Sequence, residues 1–165
     1  MIILAFPWVL LGAQEDDAVI AQVVQKTFGA DPPKVLKMWL TDPVLQKDLK
    51  AILERDELPL RQRYYQHGQK RLWVLDEVGH TLVITMGILT ENNAIVDQKV
   101  LIYRETRGGE VQQQAYLNQY KKLQLQDNLE LSKNIDGITG ATLSCRALTK
   151  MARYALRLEK FLNSP

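Results

Sequence analysis

The run Asp136-Gly137-Ile138-Thr139-Gly140-Ala141-Thr142-Leu143-Ser144 gathers three hydroxyls and two glycines where a polar loop gives way to the longest helical pattern in the chain. Asp-Gly is a turn dipeptide, and Gly140 admits a backbone conformation closed to other residues. A helix beginning directly afterwards presents free N–H groups and the positive end of its dipole, which together attract an anion. The dipole contributes about 0.3–1 kcal/mol per charge at an exposed end. Thr142 falls in that first turn with its hydroxyl among the donors, so the turn is a chemically sound seat for a phosphate. The same residues also make an ordinary helix start, with Thr139 or Thr142 as a capping side chain. Spacing alone leaves both readings open.

Little else in the chain offers chemistry. The single cysteine, Cys145, has no partner for an internal disulfide and sits just inside the same helical pattern, which suits a buried, inert thiol. His67 and His80 lie in turn-like sequence, and two histidines with one cysteine are a poor basis for a protein-built zinc site. Arg146, Lys150, Arg153, Arg157 and Lys160 recur at alternating spacings of four and three, along one side of the last helix. Such a stripe is a solvated helix surface, or else a docking face for an acidic redox partner or anionic lipid head groups. A net charge of +2, without basic clustering over the whole chain, argues against a nucleic-acid binder.

The elements that must position these residues follow from periodicity. Gln14 to Phe28 reads as an amphipathic helix, with Glu15, Asp16 and Asp17 in its first turn and Val19, Ile20, Val23, Val24 and Phe28 on its apolar face. Gly29 ends it, Pro32-Pro33 break the chain, and Lys34–Leu40 is a short strand. Thr41-Asp42-Pro43 starts a second helix, whose period runs through Leu45, Leu49, Ile52 and Leu53 to about Arg55. Four strands then follow in succession. "RQRYYQ" and "KRLWVLDEV" flank His67-Gly68, and "HTLVITMGILT" and "AIVDQKVLIYRET" flank Asn92-Asn93, a pair that tolerates the positive φ of hairpin turns. A helix from about Val111 to Leu123, an irregular polar stretch to Asn134 and a long helix from about Ala141 to Leu162 complete the chain. Trp39 and Trp73 fall on apolar patterns and read as core, and of Tyr64 and Tyr65 only one is expected to face inward. At 165 residues this is one α+β domain, a largely antiparallel sheet with helices packed on it and a long C-terminal helix.

The opening thirteen residues, "MIILAFPWVLLGA", carry no charged side chain and are too short to span a membrane, which takes about 20 apolar residues. They have the apolar core and small-residue ending of an export signal, without its basic leading region. Residues 1–13 are therefore read as an export signal and 14–58 as an N-terminal helical segment, with the protein periplasmic or otherwise extracytoplasmic. A buried N-terminal strand or helix is the alternative.

Asp136-Gly137-Ile138-Thr139-Gly140-Ala141-Thr142 resembles, at every fixed position, the flavinylation motif Asp-x-x-Ser/Thr-Gly-Ala-Thr of the FMN-binding domain family. That family includes flavin-bearing components of the Rnf complex and of the sodium-translocating NADH:quinone reductase. The resemblance implies covalent FMN, phosphoester-linked to Thr142 by a flavin transferase that uses FAD, with Asp136, Thr139, Gly140, Ala141 and Ser144 shaping the recognition turn. "YRETRGGE", Tyr103 to Glu110, is similar to the family's Glu-Thr-Pro-Gly-Leu-Gly segment: Glu105, Thr106 and Gly108 match, while Arg107 replaces the proline. It adds Glu105 and Thr106 as cofactor-binding candidates, although a plain glycine turn between strand and helix explains the segment equally well. The resemblance begins near Arg71, and residues 59–165 are taken as the FMN-binding domain. It implies an electron carrier or redox subunit rather than a stand-alone enzyme. Its partners would be the transferase and a redox donor and acceptor, with a membrane electron-transfer complex as one setting. The alternative is a module that holds FMN, or another phosphate-bearing ligand, without a bond.

Overall fold

The computed structural model describes residues 7–164, with side chains from Glu15 onward. Five strands, β1 (Val35–Trp39), β2 (Arg61–His67), β3 (Lys70–Val78), β4 (Val83–Glu91) and β5 (Ala94–Tyr103), form one sheet in chain order. Every neighbouring pair is antiparallel. The hairpin turns are where the sequence places them: Asn92 and Asn93 both take positive φ (51° and 63°), as does Gly68. The α+β expectation holds, with helices on the sheet and a long one at the end.

Both faces of the sheet are covered, and this decides where the aromatics go. On one face lie α2 (Pro43–Leu53) and α4 (Thr142–Asn163), sharing a core with Trp73, Leu75, Ile84, Met86, Ile88 and Val100. Helix α2 starts as its sequence demands, with the Asp42 carboxylate accepting from Leu45 N at 2.7 Å and proline in its first turn. On the other face lies α1 (Pro7–Phe28), whose Ile20 and Val24 pack on Leu72 and Val74. Adjacent residues on a strand point to opposite faces. Tyr64 accordingly stacks on Trp73 (centroids 4.8 Å apart), while Tyr65 packs with the α1 cluster. The expectation that only one tyrosine faces inward is corrected, because a sheet covered on both sides has two insides. Trp39 is corrected in the opposite sense. Its neighbour Met38 points into the core, so Trp39 points out from edge strand β1, 60% exposed, with the Arg61 guanidinium 5.6 Å from its ring centroid.

Two helix expectations also change. Helix α1 is already under way at Pro7, so Glu15, Asp16 and Asp17 lie within it and not in a first turn. Asp16 pairs with Arg104, and Asp17 lies 3.6 Å from Arg63, both on sheet strands or their ends. The apolar opening read as an export signal lies partly outside the described residues. The helix expected over Val111–Leu123 is instead a 3₁₀ turn at Gly109–Gln112, the one-turn helix α3 (Gln114–Leu117) and a second 3₁₀ turn at Asn118–Tyr120. On one continuous helix Val111 and Tyr120 would lie about 180° apart. The break at Gln113, which is extended, lets Val111, Tyr116, Leu117 and Tyr120 all enter the same core.

Candidate functional site

Helix α4 begins at Thr142. Gly140 takes φ 83°, the left-handed turn that only glycine adopts freely, and Ala141 N donates to Ile138 O at 3.0 Å. Ala141 is the N-cap and offers no capping side chain, so the first-turn N–H groups are left for something else. Thr142 is exposed, and its hydroxyl has no hydrogen-bond partner among the described residues. Neither threonine acts as a cap. Of the two readings open at the sequence level, the ordinary N-cap is the one the geometry removes.

The second segment lies against this turn. Gly108, at φ 74°, is the point of closest approach: a Cβ there would come within 3.1 Å of Tyr103 Oη, 3.2 Å of Ser144 Oγ and 3.3 Å of Ala141 Cβ. Tyr103 fastens the two pieces together. Its hydroxyl donates to the Arg107 carbonyl at 2.5 Å and lies 3.1 Å from the hydroxyl of the buried Ser144. Glu105 is spent on the neighbouring hairpin, accepting from Thr81 N (2.7 Å), Leu82 N (2.8 Å) and Thr81 Oγ1 (3.2 Å). Hydrogen bonds from the Leu82, Thr81 and His80 amides, that of Leu82 foremost, hold its carboxyl below the usual glutamate range.

These pieces enclose an open cavity of about 600 Å³, within the range of small-molecule and cofactor sites. Thr142, Gly140, Ala141, Ser144, Glu105 and Thr106 all line it. Thr139 lines an adjoining cavity of about 590 Å³, which shares the Thr106–Gly108 wall and Gly140. Asp136 lines neither; its backbone N–H donates to Gln119 Oε1 at 2.9 Å. Further residues of the site are not among the sequence-predicted site residues, Thr81 and Leu143 of the cavity lining among them. His80 and Arg107 also line the cavity, and Tyr103 joins its two segments. A tyrosine two residues before Glu105 is the available signal for the last. Cys145 is buried among apolar side chains, as expected of an inert thiol.

The basic stripe of α4 is not a free solvated face, because the chain itself engages it. Arg146 pairs with Glu54, and Lys150 reaches Glu54 at 3.0 Å and Leu53 O at 3.1 Å. Arg157 meets Asp48 at 2.7 Å, and Arg153 meets Glu130 at 2.9 Å and Leu129 O at 2.6 Å. Lys160 donates to Leu125 O at 3.1 Å. These contacts clamp α4 to α2 and to the 125–130 loop.

Residues 78–157 match the family model described as the FMN-binding domain. These residues form an FMN-binding domain. The match runs from the last residue of β3 through β4, β5, the cavity and most of α4, so it contains both segments of the site. FMN is the cofactor this domain binds, and the uncapped turn beside an open cavity suits a group with a phosphate at one end and a flat ring system at the other. No protein of curated function matches the chain.

Proposed function

We propose that FMN is esterified through its phosphate to the Thr142 hydroxyl, and that the protein works outside the cytoplasm as an electron carrier or redox subunit. The observation that carries this reading is the first turn of α4: an exposed hydroxyl without a partner among the described residues, at an uncapped helix end, opening into the FMN domain's cavity. In the attachment reaction Thr142 Oγ attacks the flavin-side phosphorus of FAD on the transferase. The Oγ–P bond forms, the pyrophosphate P–O bond breaks, AMP leaves and the hydroxyl proton is released.

Bound FMN supplies one- and two-electron chemistry. The chain's own residues hold it and shape its surroundings. The Gly140 turn leaves the first N–H groups of α4 uncapped, where they would meet the phosphate, and the helix dipole would favour its charge. Tyr103 and Ser144 keep the Arg107–Gly108 wall against the turn, and Glu105 keeps the 79–82 hairpin at the cavity's side. A covalent bond suits an exported protein. A flavin held at micromolar affinity, about −8 kcal/mol, would be lost by dilution outside the cell. The uncharged apolar opening supports export, and no helix of the described residues is long and apolar enough to cross a membrane. The partners this reading requires are the flavin transferase, an electron donor and an acceptor; a membrane electron-transfer complex is one setting that would supply the last two.

Intact mass of the protein recovered from its own cell tests the proposal. The expected increment is one FMN less one water. A mass accounted for by amino acids alone would refute the ester. Yellow colour that leaves on denaturation would indicate instead a module holding FMN without a bond.

A further inference from the structure

We propose that Arg107 is the cation that pairs with the flavin phosphate at the start of α4, an inference that rests on the phosphate being seated there. Arg107 lines both the cavity that holds Thr142 and the adjoining one, and it is exposed. Its backbone is fixed by the Tyr103 hydrogen bond to its carbonyl, and the next residue, Gly108, lies against Ala141 and Ser144. The side chain therefore projects from a wall that touches the phosphate turn. Arg107 forms no ion pair among the described residues.

The other nearby cations are committed. Arg104 is tied to Asp16 and lies 3.3 Å from Val83 O, and Arg146 is tied to Glu54. Of the acids around the two cavities, Glu105 is consumed by the hairpin amides, and Glu110 lines only the adjoining cavity. An arginine in this setting offers a planar fork that matches phosphate oxygens two at a time. Arg107 also stands where the similar family segment has proline, so this contact would be a feature of this chain and not of the motif.

The test uses the full chain made without the transferase, titrated with FMN and with riboflavin, which lacks the phosphate. The wild-type apoprotein should prefer FMN. In Arg107→Ala that preference should fall about tenfold, through weaker FMN binding with riboflavin unchanged. Arg107→Lys should keep part of it, and added salt should erode the preference in the wild type more than in the alanine variant. An unchanged preference in Arg107→Ala, or equal weakening of both ligands, overturns the proposal. A wild-type protein that shows no preference for FMN at all would instead sink the phosphate seat beneath it. Thermal melts of the variants establish that each is folded when titrated.

Discussion

The two ends of α4 are built on opposite rules. At its start the helix has no capping side chain, an exposed Thr142 and an open cavity. Near its end Glu159, fully buried, meets Arg71 at 3.0 Å and accepts from Thr90 Oγ1 at 2.9 Å on one oxygen, and from Asn163 Nδ2 at 3.1 Å on the other. Thr90 in turn accepts from Trp73 Nε1 at 2.9 Å, so the network ties the helix to β3 and β4 through the middle of the core. One end has polar groups awaiting a partner, and the other has its carboxylate satisfied from within. The lesson is that rigidity and chemistry are separated along a single element. The saturated end, together with the clamped basic stripe, fixes the helix so that its open end is held in place for a ligand.

This contrast can be broken from either side. The largest expected effect is functional: Thr142→Ala, made together with the transferase, should abolish flavin that survives denaturation, while an exposed side chain so placed changes stability by no more than about 0.5 kcal/mol. Mass spectrometry and a urea melt read the two quantities. Glu159→Ala should do the reverse. It strands Arg71 as a buried charge and should cost about 3–5 kcal/mol, seen as a lower urea midpoint, with Thr142 still modified in the molecules that fold. Gly108→Ala acts between the two. It forces a left-handed residue and a crowded contact onto the wall of the cavity, at about 1–3 kcal/mol, and should lower flavin attachment by pushing the Arg107–Gly108 segment off α4.

Smaller effects come from two glutamates whose surroundings differ as the two helix ends do. Glu77 is buried with one oxygen 3.2 Å from Arg55 Nη1, too poorly aligned for a hydrogen bond, and burial raises its pKa above the ordinary 4.5 against the pull of that arginine. A raised carboxyl destabilises the fold as pH climbs from the unfolded value through the folded one, so Glu77→Gln should flatten that loss and leave the protein as stable or slightly more stable at pH 7. Glu105 has the opposite sign. Its lowered pKa means that its hold on the hairpin is complete above the unfolded value of 4.5 and is lost as pH falls through the folded one. Protection of the Thr81 and Leu82 amides from hydrogen exchange, measured relative to the intrinsic rate at each pH, should fall over that acid range in the wild type, and should already be low at pH 7 in Glu105→Gln.

Much of this molecule is legible in its amino acids. Local rules are enough for the Asp42-Pro43 helix start, the Asn92-Asn93 turn, the Gly140 turn and the four consecutive strands, because capping, positive φ and period-two alternation act over a few residues. What fails depends on partners far away in sequence. The α4 stripe has a period that fits a solvated face, yet Glu54, Asp48 and Glu130 arrive from distant segments to engage it. Trp39 has the composition of core and the position of an edge strand's outer face. Arg107 is one more residue of a glycine turn until the fold sets that turn beside Thr142.

The amino-acid order alone determined the class of fold, a long last helix from about Ala141 and the resemblance of the Asp136–Thr142 turn to a flavinylation motif, since each is encoded in short stretches that need no outside help. The segment from Tyr103 to Glu110 it left open between a motif and a plain glycine turn. Only the tertiary structure decided that the helix start is left uncapped, that Tyr103 and Ser144 bind the two segments into one cavity, and that the basic stripe is occupied from within. These are questions of which groups remain without a partner once every other contact is made, and that can be answered only when the whole chain has folded.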